Sequence, residues 1–133
     1  MSILSTAQNL LIELLPRNAR LRVLAICEPV ELVMAQVLSE VGMPTRHVYF
    51  PTKGFISLVT PINGRPILEV GMIGREGMLG TQLALGIAAA PLHALVQGPG
   101  AAWRIGGSSV HCWNFDAVEF CWQFARKIIP RRP

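Results

Sequence analysis

The sequence predicts a mixed α/β chain that is mainly β: an antiparallel β-roll, or jelly roll, flanked by short N-terminal helices and a long C-terminal helix. Three observations carry this. Twelve glycines and ten prolines sit among 133 residues, of which 51% are hydrophobic and only 15% charged. Short apolar segments joined by tight turns follow, and a bundle of long helices is disfavoured because neither residue is tolerated well inside one. From residue 28 the apolar period changes to two, the period of a strand with one buried face. Asn63-Gly64 then supplies the two positive-φ residues of a type I′ turn between two apolar runs.

Residues 5–15 read as a short helix, capped by Ser5 or Thr6, with Leu10, Leu11, Leu14 and Leu15 on one face. Pro16 stops it, and residues 17–26 form a second helix with Leu21, Leu24 and Ala25 inward. Val30, Leu32 and Met34 fall on one side of a strand, with Glu31 on the other. Gly42-Met43-Pro44 marks a turn, and residues 46–50 form another strand, closed by Pro51-Thr52-Lys53-Gly54. Counting outward from Asn63-Gly64, Ile62 faces Arg65 as a hydrogen-bonded pair and Pro61 faces Pro66 at a non-hydrogen-bonded site. Prolines fit there, because the missing N–H would point away from the partner strand. Residues 71–86 break the strand pattern with five glycines and a short helical stretch near 78–85. A second hairpin runs through 92–97, turns at Gly98-Pro99-Gly100 and returns through 101–105. Gly106-Gly107 ends the β region, and Ser108 or Ser109 caps a last helix to about residue 129, before Pro130.

At about 100–200 residues per domain, the chain is one domain over 1–133, with helices at 5–26, a roll at 28–105 and a helix at 108–129. A chain of this size buries about two-thirds of its unfolded surface, so it needs no staples. The net charge of +4 is concentrated in Arg126, Lys127, Arg131 and Arg132, and the rest balances eight bases against eight acids. Such a tail touches phosphates without sequence preference, so specific DNA binding by this chain alone is not expected. Cys27, Cys112 and Cys121 are an odd set with no Cys-x-x-Cys pair, as in a cytoplasmic protein whose free cysteines are small buried hydrophobes. Glu13 interrupts the leading leucines, so no signal peptide is expected. Residues 77–103 carry no charge, but their glycines and prolines, with Gln82, His93 and Gln97, would be costly on a lipid-facing helix. They read as buried turns and strands of a soluble protein.

Three runs, His47-Val48-Tyr49-Phe50-Pro51, Gly54-Phe55-Ile56-Ser57-Leu58 and Gly71-Met72-Ile73-Gly74-Arg75-Glu76-Gly77-Met78-Leu79-Gly80, resemble the Crp/Fnr family of bacterial transcription regulators. The resemblance is to the cyclic-nucleotide-binding-like sensor half and covers about residues 10–105. It implies a β-roll whose glycine-rich cassette binds a cyclic nucleotide. Glycines let backbone N–H groups approach the phosphate, a carboxylate accepts from the ribose hydroxyl, and an arginine pairs the phosphate through two parallel hydrogen bonds. By the resemblance, Glu76 takes the carboxylate position, and Gly74, Gly77, Met78, Leu79 and Gly80 form the turn with Arg75 beside it. Where the family has its arginine and a neighbouring hydroxyl residue, the sequence reads Leu92-His93. Histidine is mostly neutral at pH 7 and a poor substitute, so a degenerate pocket is expected.

No cofactor is expected beyond a cyclic nucleotide or another small effector bound weakly. His47 and His111 have no second ligand at a recognised spacing, and three scattered cysteines do not supply the four thiolates of an iron–sulfur cluster. No paired nucleophile and base stands out, so neither metal chemistry nor catalysis is expected. Met72, Met78 and Trp103 read as core. Within 108–129, Val110, Trp113, Ala117, Phe120, Phe124 and Ile128 recur at spacings of three and four on one face of a helix about 33 Å long. The resemblance implies pairing along it, as a homodimer or with a related regulator; the alternative is a helix folded back on its own roll. The family's helix-turn-helix DNA-binding domain follows such a helix, and its absence before Pro133 reads as divergence or as a truncated reading frame. Three functions fit: a ligand-sensing regulatory domain, a ligand-free dimerisation or interaction module, and a remnant of a transcription factor.

Overall fold

The computed structural model describes residues 8–62, 65–84 and 86–106. Asn9 starts the first helix: its Oδ1 accepts from the backbone N–H groups of Leu11 and Ile12 and caps α1 (Leu10–Glu13), a single turn. The expected caps, Ser5 and Thr6, lie outside the described residues. Helix α2 (Arg17–Ile26) has the expected bounds and only part of the expected face, since Leu24 packs inward but Leu21 and Ala25 do not. Val23 is buried with Ala19 and Leu24 against the core, whereas Leu21 is 54% exposed and Ala25 faces solvent. The i, i+4 pair Ala19–Val23 sets the inward stripe, and Leu21 lies half a turn away from it.

Strands β1 (Glu28–Leu32), β2 (Val37–Ser39), β3 (His47–Ile62), β4 (Arg65–Ile73) and β5 (His93–Gly106) form one antiparallel sheet in the order β1-β5-β3-β4, with β2 also on β5. The one-turn helix α3 (Thr81–Ala84) lies between β4 and β5. Strand β1 stops at Leu32, so Met34 is not its third inward residue. The chain turns through Ala35 at φ +68°, and Met34 is 56% exposed. Strands β3 and β4 pair in the register the prolines imply, with Pro61 opposite Pro66 and Ile62 opposite Arg65; Asn63 and Gly64 lie outside the described residues.

The largest correction concerns β3 and β5. The run Pro51-Thr52-Lys53-Gly54 does not close a strand, and Gly98-Pro99-Gly100 does not turn a hairpin. Strand β3 continues through the first for 16 residues and β5 through the second for 14. They pair with each other from His47↔Gly106 to Val59↔His93, and their register shifts between Pro51 and Ile56. The breakers on the two strands face each other, so they bend the pair into a corner instead of ending either strand. Backbones touch there. A Cβ at Gly54 would stand 2.8 Å from the Pro99 carbonyl oxygen, and one at Gly100 would stand 2.8 Å from the Gly54 nitrogen.

Alternation along β3 divides the core in two. Val48 and Phe50 meet Leu11, Ile12, Val23 and Ile105 on the helical side, while Tyr49 and Ile56 meet Leu32, Val96 and Ala102 inside the roll. The start of β3 is therefore covered on both faces, which explains its unbroken apolar run. Cys27 is half-buried at the edge of the helical cluster, and burial pushes its thiol up to about 12. Cys112, Cys121 and the predicted helix over 108–129 lie outside the described residues. Among the described residues, no helix is long and apolar enough to cross a membrane.

Candidate functional site

Strand β4 ends at Ile73 and the chain turns at once. The Gly77 N–H donates to the Gly74 carbonyl (3.1 Å), and the Glu76 carboxylate folds back to accept from the Gly74 N–H (3.2 Å). A Cβ at residue 74 would stand 2.8 Å from Glu76 Oε2, so glycine there makes room for the carboxylate. Asn9 fastens the turn to the helices: its Nδ2 donates to the carbonyls of Gly77 (3.0 Å) and Pro51 (2.8 Å). The Leu10 N–H adds a bond to the Arg75 carbonyl (2.8 Å). Leu79 then exchanges two backbone hydrogen bonds with Tyr49, which sends Met78 to the helical core and Leu79 into the roll.

Between this segment, the start of β3 and the approach to β5 lies a cleft of about 80 Å³. Its walls are mostly apolar, with Leu38, Leu58, Ile73, Met78, Leu79 and Leu92 among them; Ser39, Thr45, His47, Thr81 and Gln82 supply the side-chain polar groups. Of the expected site residues, Met78, Leu79, Gly80 and Leu92 line the cleft. Gly74, Arg75, Glu76, Gly77 and His93 do not. Arg75 and Glu76 are exposed, and Gly77 is buried beneath Asn9. The His93 Nδ1 accepts from the Val41 N–H (3.3 Å), which leaves the ring proton on Nε2. Met78 joins the core as expected, but Met72 is 57% exposed on β4 and does not. The residues expected at a dimer interface, Val110, Trp113, Ala117, Phe120 and Phe124, lie outside the described residues.

Thr45, His47 and Gln82 are site-lining residues that the motif reading does not identify. The spacing Thr45-x-His47 places both on one side of the chain entering β3, a period-two signal open to view in the sequence. Gln82 gives none. Burial lowers the pKa of His47, helped by the positive charges of Arg104 and Arg46 and opposed by Glu28, so the ring is neutral at pH 7. The nearby Arg104 is engaged by Glu28 directly across the strands, through Nε (2.7 Å) and Nη2 (2.6 Å), which raises its pKa further.

A depressed histidine pKa means that the unfolded chain binds the proton more readily. The stabilisation is complete above about pH 6.5 and is lost as the pH falls from there through the folded-state pKa. Urea midpoints should therefore drop between pH 7.5 and 5.5 by more in the wild type than in His47→Gln. Equal drops would show that His47 is not responsible.

No family model matches the chain, and no curated protein matches it in sequence. Its fold does match solved structures. The regulatory domain of Toxoplasma gondii PKA with cAMP superposes at a TM-score of 0.72 and 16% identity, over 86% of this chain and 44% of that one. The N-terminal domain of a transcriptional regulator from Streptomyces coelicolor A3(2) gives 0.69 and 15%, over 96% and 90%. The chain has the β-roll fold of these domains. The sensor domain of the transcriptional regulator DNR from Pseudomonas aeruginosa shares this β-roll at 0.68 and 14%, over 89% and 79%. The β-roll spans less than half of the PKA chain and most of the two bacterial regulator domains. The expected fold class is thereby met in its β part.

Proposed function

We propose that this β-roll is the ligand-sensing part of a Crp/Fnr-like regulator and that its cyclic-nucleotide pocket is degenerate. The observation that carries the reading is Leu92. It lines the cleft at the position where the resemblance puts the phosphate-binding arginine, and no described residue lining the cleft is an arginine, lysine, aspartate or glutamate. Glu76, the position for the ribose contact, is bonded to its own turn. A cyclic phosphate entering here would leave water without gaining a cation. Losing a charge-assisted bond to a desolvated anion costs on the order of 2–5 kcal/mol, about thirtyfold or more in affinity.

Calorimetry should accordingly give a dissociation constant for cyclic AMP weaker than micromolar, and Leu92→Arg should tighten it. Sub-micromolar binding by the wild type would reject the degenerate pocket. Pairing of two copies through the apolar face of residues 108–129 is part of the same proposal. Light scattering should then give twice the 14.5 kDa of one chain, and Phe124→Glu should return one chain. A wild-type monomer at high concentration would reject the pairing.

A further inference from the structure

We infer that the cleft beside the cassette takes an uncharged, mainly apolar small molecule with one hydrogen-bonding head, of the amide, alcohol or ketone class, in preference to an anion. This rests on the sensor reading above and names the ligand class for its site. Three polar groups that line the cleft, Thr45, His47 and Gln82, have bonding capacity to spare. Gln82 Nε2 donates to Thr45 Oγ1 (2.8 Å), and that bond uses neither the Thr45 hydroxyl hydrogen nor the Gln82 Oε1. Neither of those, nor the His47 imidazole, has a hydrogen-bond partner among the described residues. Together they offer donors and acceptors that carry no charge, since the His47 ring is neutral at pH 7. The side chains of Leu58, Ile73 and Leu92 line the same cleft and reward burial of hydrocarbon.

A carboxylate or phosphate would have to shed water against these groups without a cation in return. An amide or hydroxyl would exchange water for Thr45 and Gln82 on nearly equal terms. Size narrows the class. A cleft of about 80 Å³ has room for a short apolar group carrying one polar head.

Butyramide and butyrate share a carbon skeleton and differ in charge, which makes them the test pair. In an NMR titration of the full chain, butyramide should shift the signals of Thr45, Gln82 and the Leu92 methyls at millimolar concentration. It should bind about tenfold or more tighter than butyrate. Thr45→Val, nearly isosteric, should weaken butyramide several-fold, and Leu92→Arg should reverse the preference in favour of butyrate. Butyrate binding as tightly as butyramide would overturn the inference. So would cleft signals that neither probe moves up to its solubility limit, or an unchanged butyramide affinity in Thr45→Val. Those results leave the sensor reading standing if cyclic AMP also fails to bind, whereas sub-micromolar cyclic AMP binding would remove both.

Discussion

Replacing Asn9 with alanine should lower the unfolding free energy by about 3–7 kcal/mol. The side chain is fully buried and uses all of its hydrogen-bonding capacity: two backbone N–H groups on Oδ1 and two carbonyls on Nδ2. Losing the cap accounts for about 1 kcal/mol, and each stranded buried carbonyl adds about 1–3. Out of a typical total of about 5–15 kcal/mol this is a large share. Asn9→Asp separates the two contributions. Aspartate caps helices as well as asparagine does, but its carboxylate would face the Pro51 and Gly77 carbonyls with no hydrogen to offer. Urea denaturation should find the aspartate variant no more stable than the alanine one. An aspartate variant as stable as the wild type would show that the clasp between α1 and the cassette contributes nothing.

Gly54→Ala should cost about 2–5 kcal/mol, while Gly42→Ala costs about 1–2. Both glycines have positive φ, at +78° and +80°, so both variants suffer the left-handed penalty of about 1–2 kcal/mol. They differ in space. A Cβ at Gly42 meets nothing within 4 Å, whereas at Gly54 it meets backbone atoms of Gly98 and Pro99, which cannot swing aside as a side chain can. Overpacking of that kind adds about 1–3 kcal/mol. Thermal melts of the two variants side by side would decide it, and equal shifts would mean that the corner between β3 and β5 relaxes freely.

Local chemistry was legible where one segment decides its own geometry. The paired prolines Pro61 and Pro66 disclosed the register of β3 and β4, and Arg17 to Ile26 disclosed a helix. What the residues hide is whether a breaker ends a strand or bends it. Gly98-Pro99-Gly100 looks the same in a hairpin and in a corner, and only the partner glycine, Gly54, distinguishes them across a gap of more than forty residues. The candidate site divides in the same way. The cassette residues form one run, so Met78, Leu79 and Gly80 were readable. Thr45, His47 and Gln82 meet only through tertiary pairing, and one apolar motif does not announce another's polar neighbour.

The position of β5 at the centre of the sheet has a consequence for how the molecule is made. Strand β1 finds its partner 76 residues later, where Glu28 meets Arg104, and both β2 and much of β3 also wait for residues 93–106. Until β5 leaves the ribosome, β1 and β2 have no partner among the described strands. Only the β3–β4 hairpin and the helices can form early. Such non-local pairing delays folding, because the entropy of closing a long loop is lost before any contact compensates it. The nascent roll is therefore an open edge rich in valine and leucine for most of its synthesis, a form suited to chaperone capture and to misassembly with a neighbouring chain.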